Sequence, residues 1–205
     1  MTQKLEYLKE TASQTAGPYV HIGLAPGAAG FTLFERELGQ EIAPAGVPGE
    51  RIRIEGMVYD GTGGPVKDVL LEVWQADANG IYPHAEDPRV ADCAPGFRGW
   101  GRVITDFDTG LWAFDTIRPG PVPLRGGRVQ APHISVWLVA RGINIGLNTR
   151  LYFPEDTALH GTDPILSAVE HRNRVPTLIA AKTGPGTYRF DIRLQGEGET
   201  VFMDI

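Results

Sequence analysis

Few residues of this chain combine a reactive side chain with a recognisable spacing. The sequence contains no P-loop, no dinucleotide-binding fingerprint, no zinc-type CxxC pair and no GxSxG nucleophile elbow. His171 has no second histidine at the helical spacing of a metal site. The remaining loop histidines have the ordinary interpretation of exposed polar residues: His21, His84 and His160. Tyr82 differs, because two consecutive strand-and-turn patterns lead to it, and its phenol there serves either packing or chemistry.

The elements that position Tyr82 begin with an alternating pattern over residues 51–59, where small or apolar residues recur at every second position. Residues 60–65, DGTGGP, end this strand, since proline removes a ladder donor and glycine favours turns. Residues 69–74 are apolar on both faces except at Glu72, which predicts a strand buried between layers. The turn sequence at residues 77–80 then carries the chain to Tyr82.

The composition predicts a mainly β fold with a β-sandwich core. The chain has 205 residues, enough for one domain with a substantial core, and its 26 glycines and 16 prolines fall in turn clusters between short strand patterns. Residues 102–105 and 111–114 read as a hairpin, and residues 133–140 as a strand with His133, Ser135 and Trp137 on one face. Residues 163–170 predict a helix, because an aspartate at the N-cap precedes a proline.

Charge and cysteine content narrow the class of partner. The net charge of −6 disfavours nucleic acid and anionic membranes. Cys93 is the single cysteine, so no intrachain disulfide forms, which fits a reducing compartment. The charged N-terminal residues do not resemble a signal peptide, and no apolar run is long enough to span a bilayer. These features predict a soluble, cytoplasmic protein.

The pattern divides the chain into an N-terminal arm with connectors, residues 1–50, and a sandwich domain, residues 51–205. The arm has little core pattern of its own apart from a short predicted helix near residues 31–38. We expect such an arm to dock, either on its own domain or on a partner chain.

Three separated segments occur in a distinctive order: WQADANGIY at 74–82, TIRPGPVP at 116–123 and APHIS at 131–135. Together they resemble the intradiol ring-cleaving dioxygenases. The segments QTAGPYVHIG at 14–23, ARGINI at 140–145 and YRFDIRLQGEGETVF at 188–202 agree, so the resemblance covers nearly the whole length. It implies a sandwich of the intradiol type in an enzyme that opens a catechol ring between its hydroxylated carbons with O₂ and ferric iron.

The resemblance also implies four metal-ligand positions, which hold Tyr82, Val122, His133 and Ser135 in this sequence. Val122 has no donor atom, and the neutral hydroxyl of Ser135 is a poor ligand for a hard, highly charged Fe³⁺ ion. Two of the four donors are therefore missing, which predicts no metal and no catalytic residue in this chain. The resemblance then implies the α-type chain of a two-chain enzyme, whose homologous β subunit holds the Fe(III). Tyr82 and His133 become a buried phenol and imidazole with local hydrogen bonds.

Further residues receive roles only through the resemblance. Thr15, Gly17 and Pro18 would line the substrate pocket, and Arg141 would attract a substrate carboxylate there. Tyr19 would contact the partner chain in a higher hetero-oligomer. Without the resemblance, Gly17 and Pro18 indicate only a turn, and an arginine at a strand end indicates a surface charge.

Two other hypotheses remain at this point. In the first, the chain is a self-sufficient intradiol dioxygenase whose iron site is completed by Ser135 or by a residue outside the pattern. In the second, it is a non-enzymatic transthyretin-like module, since such modules share the G-x-V-x-D-x-x-G-x-P-V pattern found at residues 56–66.

Overall fold

The computed structural model describes residues 14–204. They form eleven short strands and three short helices, with four single-turn or distorted 3₁₀ segments at Val90–Asp92, Arg125–Gly127, Pro154–Asp156 and Arg172–Leu178. The helices are α1 (Pro18–Leu24), α2 (Thr157–His160) and α3 (Pro164–Ala168). The strands are β1 (Arg51–Tyr59), β2 (Leu70–Gln75), β3 (Trp100–Ile104), β4 (Leu111–Ile117), β5 (Val122–Pro123), β6 (Val129–Gln130), β7 (His133–Val139), β8 (Leu147–Tyr152), β9 (Ala181–Gly184), β10 (Thr187–Arg189) and β11 (Ile192–Arg193).

Two sheets form a sandwich. In the first sheet β1 is central, with β4 antiparallel on one side, β10 and β11 parallel on the other, and β9 beyond β10. The second sheet has the order β3-β2-β7-β8 and is antiparallel throughout. The prediction of a mainly β sandwich is confirmed.

The core lies between the sheets and consists of side chains at alternate strand positions. The first sheet contributes Ile52, Ile54, Val58, Trp112, Phe114, Tyr188 and Ile192, and the second contributes Leu71, Val73, Val103, Ile134, Val136, Leu138 and Leu151. Because a strand presents successive residues to opposite faces, this pattern turns the other half of each strand outward. On β7 the outward residues are His133, Ser135 and Trp137.

The predicted hairpin of residues 102–105 and 111–114 is wrong. β3 pairs with β2, and β4 pairs with β1 in the opposite sheet, so the Asp106–Gly110 turn passes from one layer to the other. The Asp106 carboxylate accepts hydrogen bonds from the Asp108 and Thr109 amides and holds this turn. An Asp/Gly turn of this kind therefore joins two layers as readily as two neighbouring strands.

Two other local predictions need correction. Residues 31–38 form no helix: the segment is irregular and largely exposed, with bends at Glu35 and Arg36, and the Gly39 carbonyl that follows it accepts the Arg102 amide at 3.0 Å. The strand pattern at residues 188–194 is divided into β10 and β11. The Asp191 carboxylate, in place of a backbone carbonyl, accepts the Met57 amide there at 2.9 Å.

The helix predicted at 163–170 is present as α3, and the Asp163 carboxylate caps it by accepting the Ile165 and Leu166 amides. Among the helices that the structure describes, none has the length and apolar character needed to cross a membrane. The division into an arm and a sandwich domain at residue 50 stays a prediction.

Candidate functional site

The loop that ends in Tyr82 is organised by the buried carboxylate of Asp77. Its Oδ1 accepts the amides of Asn79 and Ile81, each at 2.9 Å, and its Oδ2 accepts the Ala94 amide at the same distance. This Asx turn fixes the path of the chain immediately before Tyr82. The turn therefore has a structural role, which is to position the Tyr82 side chain.

The same turn packs closely on the segment that precedes Val122. Gly80 adopts φ +73°, and a Cβ on it would lie 1.9 Å from the Pro121 carbonyl oxygen. Only glycine accommodates both the positive φ and this backbone contact. The Gly120 amide also donates to the Asp77 carbonyl at 2.8 Å. The first and second segments of the sequence pattern thus meet in space.

Tyr82 and His133 form a hydrogen-bonded pair on the outer face of the second sheet. The Tyr82 hydroxyl lies 3.2 Å from His133 Nε2, and His133 Nδ1 lies 2.8 Å from the Ala131 carbonyl oxygen. A carbonyl only accepts, so Nδ1 carries the proton, and the Tyr82 hydroxyl donates to Nε2. The Tyr82 ring also stacks on Trp74, with 5.6 Å between the ring centroids and 11° between the planes.

The electrostatics of this pair favour its neutral form. Burial, followed by the nearby positive charge of Arg150, lowers the pKa of His133 to about 4. Burial raises the pKa of Tyr82, although the Arg150 charge opposes that rise. At neutral pH the site thus holds a phenol and a neutral imidazole.

The structure brings the four positions at which the resemblance expects metal ligands into one region. Val122 lines the same cavity as Tyr82, a space of about 940 Å³ that Trp74 and Gln130 also border. Ser135 shares the outer face of β7 with His133 and is paired directly with Trp74 and Arg150 on the adjacent strands.

This region does not fit a ferric ion. Its donors are one phenol and one imidazole already bonded to each other, and within residues 14–204 no group of three or more His, Cys, Asp or Glu side chains could hold a metal. Two donors fall short of the coordination that a transition metal requires in a protein.

The positions expected to line a substrate pocket form a second region. The Gly142 amide donates to the Thr15 hydroxyl at 2.6 Å, and that hydroxyl lies 3.4 Å from the Ala140 carbonyl. Thr15 therefore ties residues 14–17 to both sides of Arg141. Gly17 is the N-cap residue of α1 and Pro18 its first residue, so this pair also serves as a helix start.

A cavity of about 360 Å³ adjoins this junction and is lined by Gly17, Pro18 and Arg141 together with His21, Asp68 and Phe107. Arg141 Nε lies 3.1 Å from the Asp68 carboxylate, yet its side chain is 78% exposed. Tyr19, the second residue of α1, is 84% exposed. The roles of these residues stay predictions, although the structure does gather them at one place.

Several residues of both regions were missed by sequence reasoning. Asp68 orients Arg141, and Gln130 and Arg150 are hydrogen-bonded beside Tyr82. Alternation along β8 could have placed Arg150 on an outer face. The strand pairing that sets it opposite Ser135 is visible only in three dimensions.

Comparison with known proteins places this geometry in a family. The model of a family described as dioxygenase matches residues 35–196. The chain belongs to this dioxygenase family. The resemblance to the intradiol dioxygenases is thereby confirmed, and the non-enzymatic transthyretin-like alternative loses its basis.

Relatives within the dioxygenase family define the similarity further. The chain is 50% identical over 203 residues to the protocatechuate 3,4-dioxygenase alpha chain of Pseudomonas putida, covering 98% of each chain. It is 36% identical over 184 residues to the protocatechuate 3,4-dioxygenase beta chain of Burkholderia cepacia, covering 85% of this chain and 77% of that one. These relatives are the two chain types of an intradiol dioxygenase, so the predicted enzyme class is confirmed.

A solved structure supports the fold. The crystal structure of 3-chlorocatechol 1,2-dioxygenase from Rhodococcus opacus 1CP matches with a TM-score of 0.58 and 25% identity, over 74% of this chain and 62% of that chain. Members of this family are iron-dependent in general.

Proposed function

We propose that the chain is the non-metal-binding alpha subunit of a protocatechuate 3,4-dioxygenase, paired with a homologous beta subunit that carries Fe(III). The assembly cleaves protocatechuate with O₂ between its two hydroxylated carbons to give 3-carboxy-cis,cis-muconate, in the cytoplasm. The ring-opening chemistry belongs to the partner's iron. This chain supplies a wall of the substrate pocket and the contacts that hold the hetero-oligomer together.

The observation that carries the proposal is the distance between the two regions. His133 begins β7, and Arg141 lies two residues beyond its end at Val139. The six residue steps of strand alone, at about 3.3 Å each, span roughly 20 Å. A cation so far from Tyr82 and His133 cannot act on a substrate bound beside them. A pocket wall built around Arg141 therefore serves a substrate held by another chain.

The chemistry of this wall suits an aromatic acid. Arg141 offers a planar guanidinium that can bind a carboxylate through two hydrogen bonds, and Asp68 holds it at the cavity edge. Thr15 anchors the backbone on both sides of Arg141. The cavity of about 360 Å³ falls within the size range of small-molecule sites, and Pro18 and Phe107 provide apolar surface for a ring.

The surface around this wall suits a protein partner. Most of the large apolar side chains exposed in residues 14–204 lie between positions 19 and 38: Tyr19, Ile22, Leu24, Phe31, Leu33, Phe34 and Leu38. A concentration of exposed apolar side chains of this kind marks an interaction surface. Tyr19 stands next to the cavity and is the most exposed of them. Its position supports the contact proposed for it across the subunit boundary.

The test compares the chain alone with the chain co-expressed with its beta subunit. We expect the single chain to contain no iron, to lack the visible phenolate-to-iron absorbance and to have no turnover. The co-expressed pair should contain one iron per pair and convert protocatechuate. A lone chain that retains stoichiometric iron and cleaves protocatechuate would overturn the division of labour and favour the self-sufficient enzyme.

The wall itself is tested in the co-expressed pair with Arg141→Gln. We expect KM for protocatechuate to rise at least about 10-fold with little change in kcat, because a charge-assisted contact contributes about 1.5–3 kcal/mol. For catechol, which lacks the carboxylate, KM should stay the same. Arg53→Gln, at an exposed position of β1 that does not line the cavity, is the matched control. An equal change in KM for both substrates would contradict a carboxylate contact.

A further inference from the structure

His21 lies beside the cavity that Arg141 borders, and its side chain is buried there. The sequence predicts an exposed polar residue at this position, and that prediction is wrong: His21 is the central residue of α1 and is 7% exposed. Its ring packs edge-on against Phe107, with 5.3 Å between the ring centroids. Within residues 14–204 its buried Nε2 atom has no hydrogen-bond partner. Buried polar atoms normally have one, so this imidazole calls for a reason.

The cavity beside His21 also holds an ion pair. Among the described residues that line it, the titratable ones are His21, Asp68 and Arg141, and the last two are bonded to each other at 3.1 Å. Burial lowers the pKa of His21, and the negative charge of Asp68 opposes that effect. In the chain alone the imidazole is therefore neutral at pH 7, and the charges of Asp68 and Arg141 balance each other.

The other charged groups on the elements near α1 do not supply a partner for His21. The Asp106 and Asp108 carboxylates, in the turn that carries Phe107, are exposed. The remaining groups have contacts of their own: Arg102 with Glu72 and the Leu24 carbonyl, Lys67 with the Asp108 carbonyl, and Glu37 with the Gly27 amide. His21 is thus the neutral group of the cavity that can still gain a charge.

An aromatic acid at the pocket wall would disturb the charge balance of this cavity. Its carboxylate adds a second negative charge, so that the Arg141 guanidinium faces two carboxylates, its own and that of Asp68. A proton on His21 restores neutrality, and a nearby carboxylate favours the charged form of an imidazole. The proton comes from the solvent, because Arg141 has none to give at neutral pH.

We infer that His21 takes up a proton when the aromatic acid binds and is a specificity residue for ligands that carry a carboxylate. This inference rests on the proposed function and adds to it a pH-dependent contribution to recognition, which a guanidinium does not provide. Because binding then includes a proton, the affinity for the acid rises as the pH falls through the pKa of His21 in the complex.

The test measures two competitive inhibitors of the co-expressed pair from pH 6 to pH 8. 4-Hydroxybenzoate has a carboxylate that stays ionised over this range, phenol lacks it, and neither has the second hydroxyl needed for ring cleavage. We expect the inhibition constant of 4-hydroxybenzoate to rise with pH by at least about 5-fold more than that of phenol. His21→Gln, which keeps a polar side chain but does not titrate, should abolish this excess. His171→Gln, at an exposed position, should keep it.

A second variant tests the charge balance with the imidazole in place. Asp68→Asn removes one of the two carboxylates, so the excess should fall, and this result decides the inference even where His21→Gln does not fold. Circular dichroism melts establish which variants are folded. An excess that persists in full in either folded variant would overturn the inference.

Failure of the proposed function has a different signature. The co-expressed pair would then contain no iron or would not convert protocatechuate, and the inference about His21 would fall with it. If His21 alone is misassigned, turnover and the effect of Arg141→Gln on KM remain, and only the pH dependence attributed to His21 is lost.

Discussion

The buried His133 makes a specific prediction about acid stability. Its pKa is about 4 in the folded chain, compared with 6.5 for an ordinary histidine, so the unfolded chain binds a proton more readily. Stability from this group is complete above pH 6.5 and falls as the pH drops from 6.5 to about 4. A difference of one pKa unit between the folded and unfolded chains corresponds to about 1.36 kcal/mol of unfolding free energy, so the full range gives about 3 kcal/mol. Between pH 7 and pH 5 the expected loss is about 2 kcal/mol.

The assay is urea unfolding of the full chain at pH 7, 6, 5.5 and 5, compared with His133→Asn. Asparagine retains an amide donor for the Ala131 carbonyl but does not titrate, so its stability should depend less on pH by about 2 kcal/mol between pH 7 and pH 5. The exposed His84→Asn is the matched control and should keep the original dependence. Burial also lowers the pKa of His21, which adds a smaller loss of the same sign to all these chains.

Carboxylates do not confuse the measurement. Burial tends to raise the pKa of Asp87, but its hydrogen bonds outweigh burial and lower the pKa below the ordinary value of 3.8. This carboxylate therefore stays ionised throughout the range from pH 7 to pH 5. Burial raises the pKa of Asp156, which favours the folded state as the pH falls, and this contribution is common to the original chain and to His133→Asn. If His133→Asn retained the full pH dependence, the buried neutral imidazole and the hydrogen-bond assignment built on it would both be wrong.

Three further predictions concern the loop and the partner contact. Asp77→Ala should reduce the free energy of unfolding by about 3–5 kcal/mol in urea titrations, since three backbone amides lose a buried charged acceptor, whereas Asp115→Ala at an exposed position of β4 should change it by less than about 1 kcal/mol. Gly80→Ala should cost at least about 2 kcal/mol, because the added Cβ meets a backbone carbonyl at a positive φ, and Gly63→Ala, also at positive φ but with open space around it, should cost less. A similar cost at both glycines would refute the close-packing argument. Tyr19→Ala should weaken association with the beta subunit about 10-fold or more by calorimetry while leaving the unfolding of the single chain unchanged, and unaltered association would remove Tyr19 from the interface.

The sequence by itself determined the β character of the chain, the turn that precedes Tyr82, and the presence of Val122 and Ser135 at two positions where the resemblance expects metal ligands. Alternation and turn residues act over a few neighbours, so they are readable locally. The identities at positions 122 and 135 decide the donor chemistry before any folding. The outward face of His133 and Ser135 followed from the same alternation.

The tertiary structure alone decided which strands are neighbours. β3 and β4 look like a hairpin in sequence and lie in different sheets, and residues 31–38 are irregular where a short helix was expected. The link between Arg150 and Gln130 depends on the same pairing. Alternation tells which face a residue occupies. Pairing depends on burying both sheets together, which no local pattern encodes.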